Sequence, residues 1–294
     1  MSDSLSPSDP AGGPSSSSMS VRVVIGVAIA FVVVPMIWTA VPAEVSRWYR
    51  DAATEAELDS DHEKASEYIE RAIQWNPHEA NLFLQRARTR LDLGQLKEAL
   101  EDCNHALELE PENRLVTVYQ RLLIHQRKGD HDQALVDADE IVKLSTDQPA
   151  ASPMSFDNAL NLRAYARALA NQQIKEGLQD IENAMVRQGG GNDNAAFLDT
   201  RGYLRYLDGD AEAALPDMQR AVELAEVRME RLEDEPKPGE LSVWREQERL
   251  AREELAVLYQ HRGLVYEKLG QQEKAAQDFA MALENGYSPE DGVW

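Results

Sequence analysis

Residues 98–111 read EALEDCNHALELEP and residues 273–289 read EKAAQDFAMALENGYSP. The likeness is one instance of a pattern that runs through most of the chain. Small or compact residues stand seven apart at Ala65 and Ala72, Ala99 and Ala106, Ala134 and Ile141, Gly177 and Ala184, Ala214 and Ala221, and Ala275 and Ala282. Between the members of each pair lies Ile69, Cys103, Ala138, Ile181, Met218 or Phe279. A step of four followed by a step of three keeps to one face of an α-helix. Successive copies begin 34, 35, 43, 37 and 61 residues apart. A unit that recurs near 34 residues with occasional insertions cannot build one layered globular core; it builds a stack in which each copy buries its face against its neighbours.

Composition agrees with an elongated chain. Only 6% of the 294 residues are aromatic, too few for a single large aromatic core. The formal net charge of −22 argues against nucleic acid and anionic lipid headgroups, which are polyanions that need clustered Lys and Arg. One cysteine, Cys103, excludes an intrachain disulfide and any multi-cysteine metal site, and its place in a packing slot reads as a buried structural thiol.

The N-terminus is organised differently. Residues 1–20 are dominated by Ser, Pro, Gly and Asp and read as a disordered tail. Residues 23–41 carry no charge, and the apolar run extends to Ala43. As a helix, a run of this length spans the ~30 Å hydrocarbon layer of a bilayer. Arg22 can snorkel at one edge, Trp38, Trp48 and Tyr49 suit the interface at the other, and Pro35 is expected to kink the helix. The segment 21–43 is therefore expected to be a single transmembrane anchor. A cleaved export signal ending near Val41-Pro42-Ala43 is the alternative. Either would place the remainder outside the cytoplasm, so a single-pass membrane protein with an extracytoplasmic array is expected.

The first half of each unit completes the pattern. In the last copy Tyr259, Gly263, Tyr266 and Gly270 precede the Ala-Phe-Ala helix, and Pro77 and Pro111 close the first two copies. This order of aromatic, small residue, aromatic, turn glycine, Ala, aromatic, Ala and Pro resembles the tetratricopeptide repeat. The resemblance implies an all-α, right-handed superhelical solenoid of about six helix-turn-helix units. Units are expected at about 46–79, 80–114, 115–148, 158–191, 195–228 and 256–289, an array over 46–289. A Pro/Ser-rich insert is expected at 146–157, an extended charged helical hairpin at 227–254 and a short tail at 290–294. Pro216, inside the second helix of unit five, is expected either to kink that helix or to delay its start.

The resemblance also implies a function, the holding of a protein or peptide in the concave groove made by the first helices. Carried onto this sequence, the groove positions include Asn81, Leu84, Arg88, Leu91 and Asp92; Tyr119 and Leu123; Asp199, Tyr203 and Tyr206; and Gln260, Leu264, Glu267 and Lys268. The tyrosines three apart could stack on a ligand or pack between helices. The subclass of the family that clamps chaperone carboxylates needs cations where this chain has Arg50, Leu84, Arg88, Tyr119 and Gln120, so that specificity is not expected. In the hairpin, Leu232, Leu241, Trp244 and Leu250 are candidate contacts for a docking arm, and Tyr287, Val293 and Trp294 a candidate plug for the last unit.

Nothing points to catalysis. The six histidines are scattered, read as solvated helix residues and form no zinc pattern; QGGGND at 188–193 lacks the Lys-Ser/Thr of a phosphate loop. No enzyme activity, metal or cofactor is expected. The two functional readings are a membrane-anchored interaction scaffold, and an accessory or regulatory subunit of a membrane-associated export or enzyme complex.

Overall fold

The structure, a computed structural model, describes residues 34–109, 114–147, 153–189, 193–232 and 241–288. Among them lie twelve α-helices and no strand. They pair as α1 (Val34–Leu58) with α2 (His62–Trp75), α3 (Ala80–Asp92) with α4 (Leu96–Glu108), α5 (Arg114–Lys128) with α6 (His131–Asp147), α7 (Phe156–Leu169) with α8 (Ile174–Arg187), α9 (Ala195–Leu207) with α10 (Ala211–Glu230), and α11 (Leu241–Lys268) with α12 (Gln272–Glu284). Each pair also packs on the next, which makes the stack a solenoid.

The seven-apart residues are its packing surface. Ala65, Ile69 and Ala72 are fully buried on α2, as are Ala99, Cys103 and Ala106 on α4, and the same triplet positions on α6, α8 and α10 are buried as well. Where the first helix of a unit presents glycine, the helices meet at that point: a Cβ on Gly263 would lie 2.5 Å from the Phe279 ring. The chain reverses within each unit through a residue in the left-handed region. Glycine fills that position at Gly94, Gly129, Gly209 and Gly270, with φ between +71° and +92°. Units one and four use Ser60 (φ +60°) and Asn171 (φ +50°) instead.

Several boundaries differ from expectation. Helix α1 is already formed at Val34, ahead of 46, so residues 34–43 of the apolar run and the first repeat helix are one helix, with Pro42 inside it. Of the expected 21–43 span, residues 21–33 and the 1–20 tail lie outside the described residues; among those described, no helix is long and apolar enough to cross a membrane. The 146–157 insert is shorter than expected, since α6 continues to Asp147 and the Ser155 hydroxyl caps α7 by accepting from the Asn158 amide. Helix α10 begins at Ala211, ahead of Pro216, because the Asp210 side chain caps it there, so the proline delays nothing. Helix α10 runs on to Glu230, and α11 is 28 residues long. Residues 233–240 between them, where a turn was expected, and the tail 290–294 lie outside the described residues.

A second regularity, absent from the sequence reading, fixes each unit internally. An aspartate immediately before the middle residue of the triplet is buried and gripped by an arginine of the first helix. The pairs are Arg86–Asp102, Arg121–Asp137, Arg163–Asp180, Arg201–Asp217 and Arg262–Asp278, each with Nε and Nη2 on the two carboxylate oxygens. Such forks have fixed geometry, so they set the register of the two helices. A second arginine one turn on, Arg90, Arg167 or Arg205, reaches the same carboxylate in units two, four and five. Unit three has His125 there, its Nε2 3.9 Å from Asp137. Unit one has Ala52 and Tyr68 at the corresponding positions and no such pair.

Candidate functional site

The first helices of units four to six converge on one cavity. On α7, Asn161 and Tyr165 stand four apart; on α9, Ala196, Asp199 and Thr200 follow steps of three and one; on α11, Leu250, Glu254, Val257 and Leu258 follow steps of four, three and one. Steps of three and four put one stripe of each helix on the inner face. The stripes wall a cavity of about 650 Å³, within the range of ligand-binding clefts, and Gly286-Tyr287-Ser288 after α12 closes its far side. A recess of about 380 Å³ continues past Asn161 and Ala196, lined by Tyr119, Asn158, Leu162 and Phe197.

Beneath the cavity lies a buried polar cluster. The Nδ1 of His261 is 2.8 Å from Asp199 Oδ1, and the histidine is fully buried. A carboxylate only accepts, so Nδ1 carries a proton and donates, while Nε2 has no protein partner. The Tyr203 ring stacks on the His261 ring at a centroid distance of 4.0 Å, and Tyr206 stacks on Tyr203 in turn. Two cavity-wall atoms are buried without a protein partner: Tyr165 Oη and Asn161 Oδ1. Burial, reinforced by the Asp199 charge, holds the Tyr165 phenol well above its usual range, so it remains a hydrogen-bond donor. Burial also pushes the Glu254 carboxyl up, against the pull of Arg228, which bonds it across the hairpin.

The residues proposed from sequence fall into three groups. Asp199 lines the cavity and Tyr119 the recess, while Leu123 is half-buried on the neighbouring core. Tyr203 and Tyr206 pack between helices, on His261 and on the Ala211, Ala214, Met218 and Val265 cluster. The others are away from the cavity: Asn81, Arg88 and Asp92 are exposed on α3, Leu84 is buried and Leu91 half-buried there, Gln260 and Leu264 are half-buried on α11, and Glu267 and Lys268 are exposed. Helix α11 meets the cavity earlier, between Arg249 and Leu258, through the extension that the unit boundary at 256 excluded.

In the hairpin, Trp244 is half-buried and its Nε1 donates to the Leu232 carbonyl at 2.7 Å, so it packs across the hairpin; Leu232 is half-buried as well. Leu250 is half-exposed at the cavity mouth. Nothing is described of the Leu241 side chain, and Val293 and Trp294 lie outside the described residues, whereas Tyr287 packs on the main core. His261 is a correction, since a solvated role was expected. It completes the buried stripe of Leu255, Leu258 and Val265, a signal that was present in the α11 sequence. Asn161, Tyr165 and Glu254 had no such signal, because only the curl of the solenoid brings three units together.

This arrangement defines a class, a helical-repeat solenoid with a walled inner cleft. Tetratricopeptide-repeat family models match residues 56–124 and 256–284, so the chain contains tetratricopeptide repeats. Among curated proteins it is similar to an SGT1 homolog of Oryza sativa subsp. japonica, 41% identical over 59 residues, and to tetratricopeptide repeat protein 36 of Danio rerio, 28% identical over 127 residues. The matched stretches span 16% and 64% of those two proteins and 20% and 42% of this chain. Among solved structures the fold is similar to PilW, described as a type IV pilus biogenesis factor, with a TM-score of 0.56 and 17% identity over 84% of this chain and 96% of that one. It is also similar to a tetratricopeptide repeat protein from Parabacteroides merdae, with a TM-score of 0.54 and 17% identity over 84% and 95% of the two chains.

Proposed function

We propose that this chain is a membrane-anchored scaffold that holds an extended segment of a partner protein in the cavity of units four to six. One observation carries the reading: Tyr165 Oη and Asn161 Oδ1 are buried on the cavity wall with no protein partner. A buried polar group left unpaired costs about 1–3 kcal/mol, so such a pair invites a ligand that satisfies both. A peptide group carries one N–H donor and one carbonyl acceptor. It matches an amide oxygen that accepts and a phenol that stays protonated to donate. Leu250, Ala256, Val257 and Leu258 offer the segment an apolar wall. The uncharged run 23–41 supports the anchor, and the orientation proposed with it, the short N-terminus inside, puts the array on the extracytoplasmic side.

The test is crosslinking and affinity purification of the full-length protein from its native membranes, with protease protection on the same material to report the side. Tyr165→Phe removes an unpaired hydroxyl, so thermal stability should hold or rise slightly while capture of the partner falls severalfold. Unchanged capture by Tyr165→Phe and by Asn161→Ala would place the partner elsewhere and sink this reading of the cavity.

A further inference from the structure

We infer that the end of unit one nearest the apolar run is a lipid-facing surface, seated in the interfacial layer of a bilayer through Trp48 and Trp75. The inference rests on the proposed anchor and specifies how the array meets the membrane.

The starting point is continuity. Helix α1 is helical from Val34, inside the uncharged run, and passes into the repeat array without a loop. By Ser46 it already packs on α2: the Ser46 hydroxyl donates to the Ala72 carbonyl at 3.0 Å, and Ala53 and Ala56 are buried. The array therefore has no flexible spacer between it and the run.

Levels along the helix follow from this contact. Helix α2 runs antiparallel to α1, so Ser46 and Ala72 stand at the same height. At 1.5 Å per residue, Trp75 lies about 4–5 Å beyond Ala72, level with Ala43, where the apolar run ends. Trp48 lies five residues from that level, about 7–8 Å into the array. The fold thus brings two tryptophans, 27 residues apart in sequence, into one band beside the end of the run.

Both are open to solvent. Trp48 is 62% and Trp75 46% exposed, and Val41, seven residues before Trp48 on the same face of α1, is 47% exposed. Trp244, in the hairpin, is by contrast half-buried and hydrogen-bonded. Exposed indole is unfavourable in water but favoured where an apolar layer meets headgroups. The cations at this end are already engaged, Arg47 with Glu44 and Arg50 with Glu79 and Asp51. With a net charge of −22, the chain has no electrostatic attraction to anionic lipid. The surface it fits is therefore the neutral glycerol and upper acyl layer of a zwitterionic bilayer.

The experiment uses the unmodified full-length chain in phosphatidylcholine vesicles that contain a phosphatidylcholine photoactivatable near the glycerol end of its acyl chain. Adducts are mapped by mass spectrometry. The expected result is labelling of the peptides that contain Trp48 and Trp75 as well as of the apolar run, with the Trp244 peptide unlabelled and the pattern unchanged by molar salt. Adducts confined to residues before Ala43, while the protein still floats with the vesicles, would overturn the interfacial seat and leave the anchor standing. A protein that neither floats nor labels in the run would remove the anchor and the seat together.

Discussion

The second arginine of units two, four and five and the histidine of unit three occupy the same slot, yet they answer to pH in different ways. Around His125 stand the Asp137 and Asp130 carboxylates and the Arg121 guanidinium, and burial outweighs the two acids, so the imidazole titrates below its usual range. The unfolded chain therefore takes up this proton first as pH falls. The stability that the neutral form confers is present above the ordinary histidine pKa of ~6.5 and is lost as pH drops from there towards the lower folded value. His125→Arg restores the arrangement seen at Arg90, Arg167 and Arg205. It should stabilise the array by about 1 kcal/mol at neutral pH, and the difference in melting temperature from the parent should widen between pH 7 and pH 5. A constant difference across that range would show that His125 does not titrate on unfolding. The five Arg–Asp forks were legible in principle, because arginine and aspartate recur 16 or 17 residues apart around each turn. They go unnoticed when only the apolar period is followed. Cys103 was read as a buried thiol, and burial pushes it up to about 12, far from reactivity.

At the scale of the helix pair, packing clearance decides which substitutions are tolerated. A Cβ at position 263 would meet the aromatic edge of Phe279 at 2.5 Å, whereas at position 202 it would meet the methyl end of Met218 at 3.0 Å. A phenyl ring is rigid and a thioether adjusts. Gly263→Ala should therefore cost about 2 kcal/mol, as overpacked cores do, and Gly202→Ala clearly less, by thermal denaturation. Phe279→Leu should recover most of the Gly263→Ala loss; no recovery would place the strain in the backbone. The turns of units one and four depart from the family pattern. Their reversal residue is Ser60 or Asn171 instead of glycine, and both take the left-handed conformation, which asparagine tolerates better than most residues. The reach of α11 was legible from its Glu and Arg spacing, and Arg249 bonds both Glu246 and Glu253 there. What the extension leans over was not legible, since that depends on how units stack.

Across the whole molecule most of the packing of each unit is with its immediate neighbours, so damage should stay largely local. Asp180 accepts from both Arg163 and Arg167, which are largely buried in unit four. Asp180→Ala leaves Arg167 without its carboxylate and Arg163 with Asp139 alone, and should cost about 3 kcal/mol. By hydrogen exchange, protection should fall in α7, α8 and their immediate neighbours while α3 and α4 keep theirs. A uniform loss along the chain would instead mark the array as one cooperative block. The number of repeats and their packing faces were readable from one sequence, because each is a local period. The cavity was not, because it exists only through the curl that sets Tyr287 opposite Asn161 and Tyr165. That closing contact gives the solenoid the character of a spring at rest. Any axial pull on its last turn draws Tyr287 away from unit four and unwalls the cavity, and a segment seated there resists the pull. Extension and occupancy are thus opposed, and the length of this molecule under load reports whether its cavity is filled.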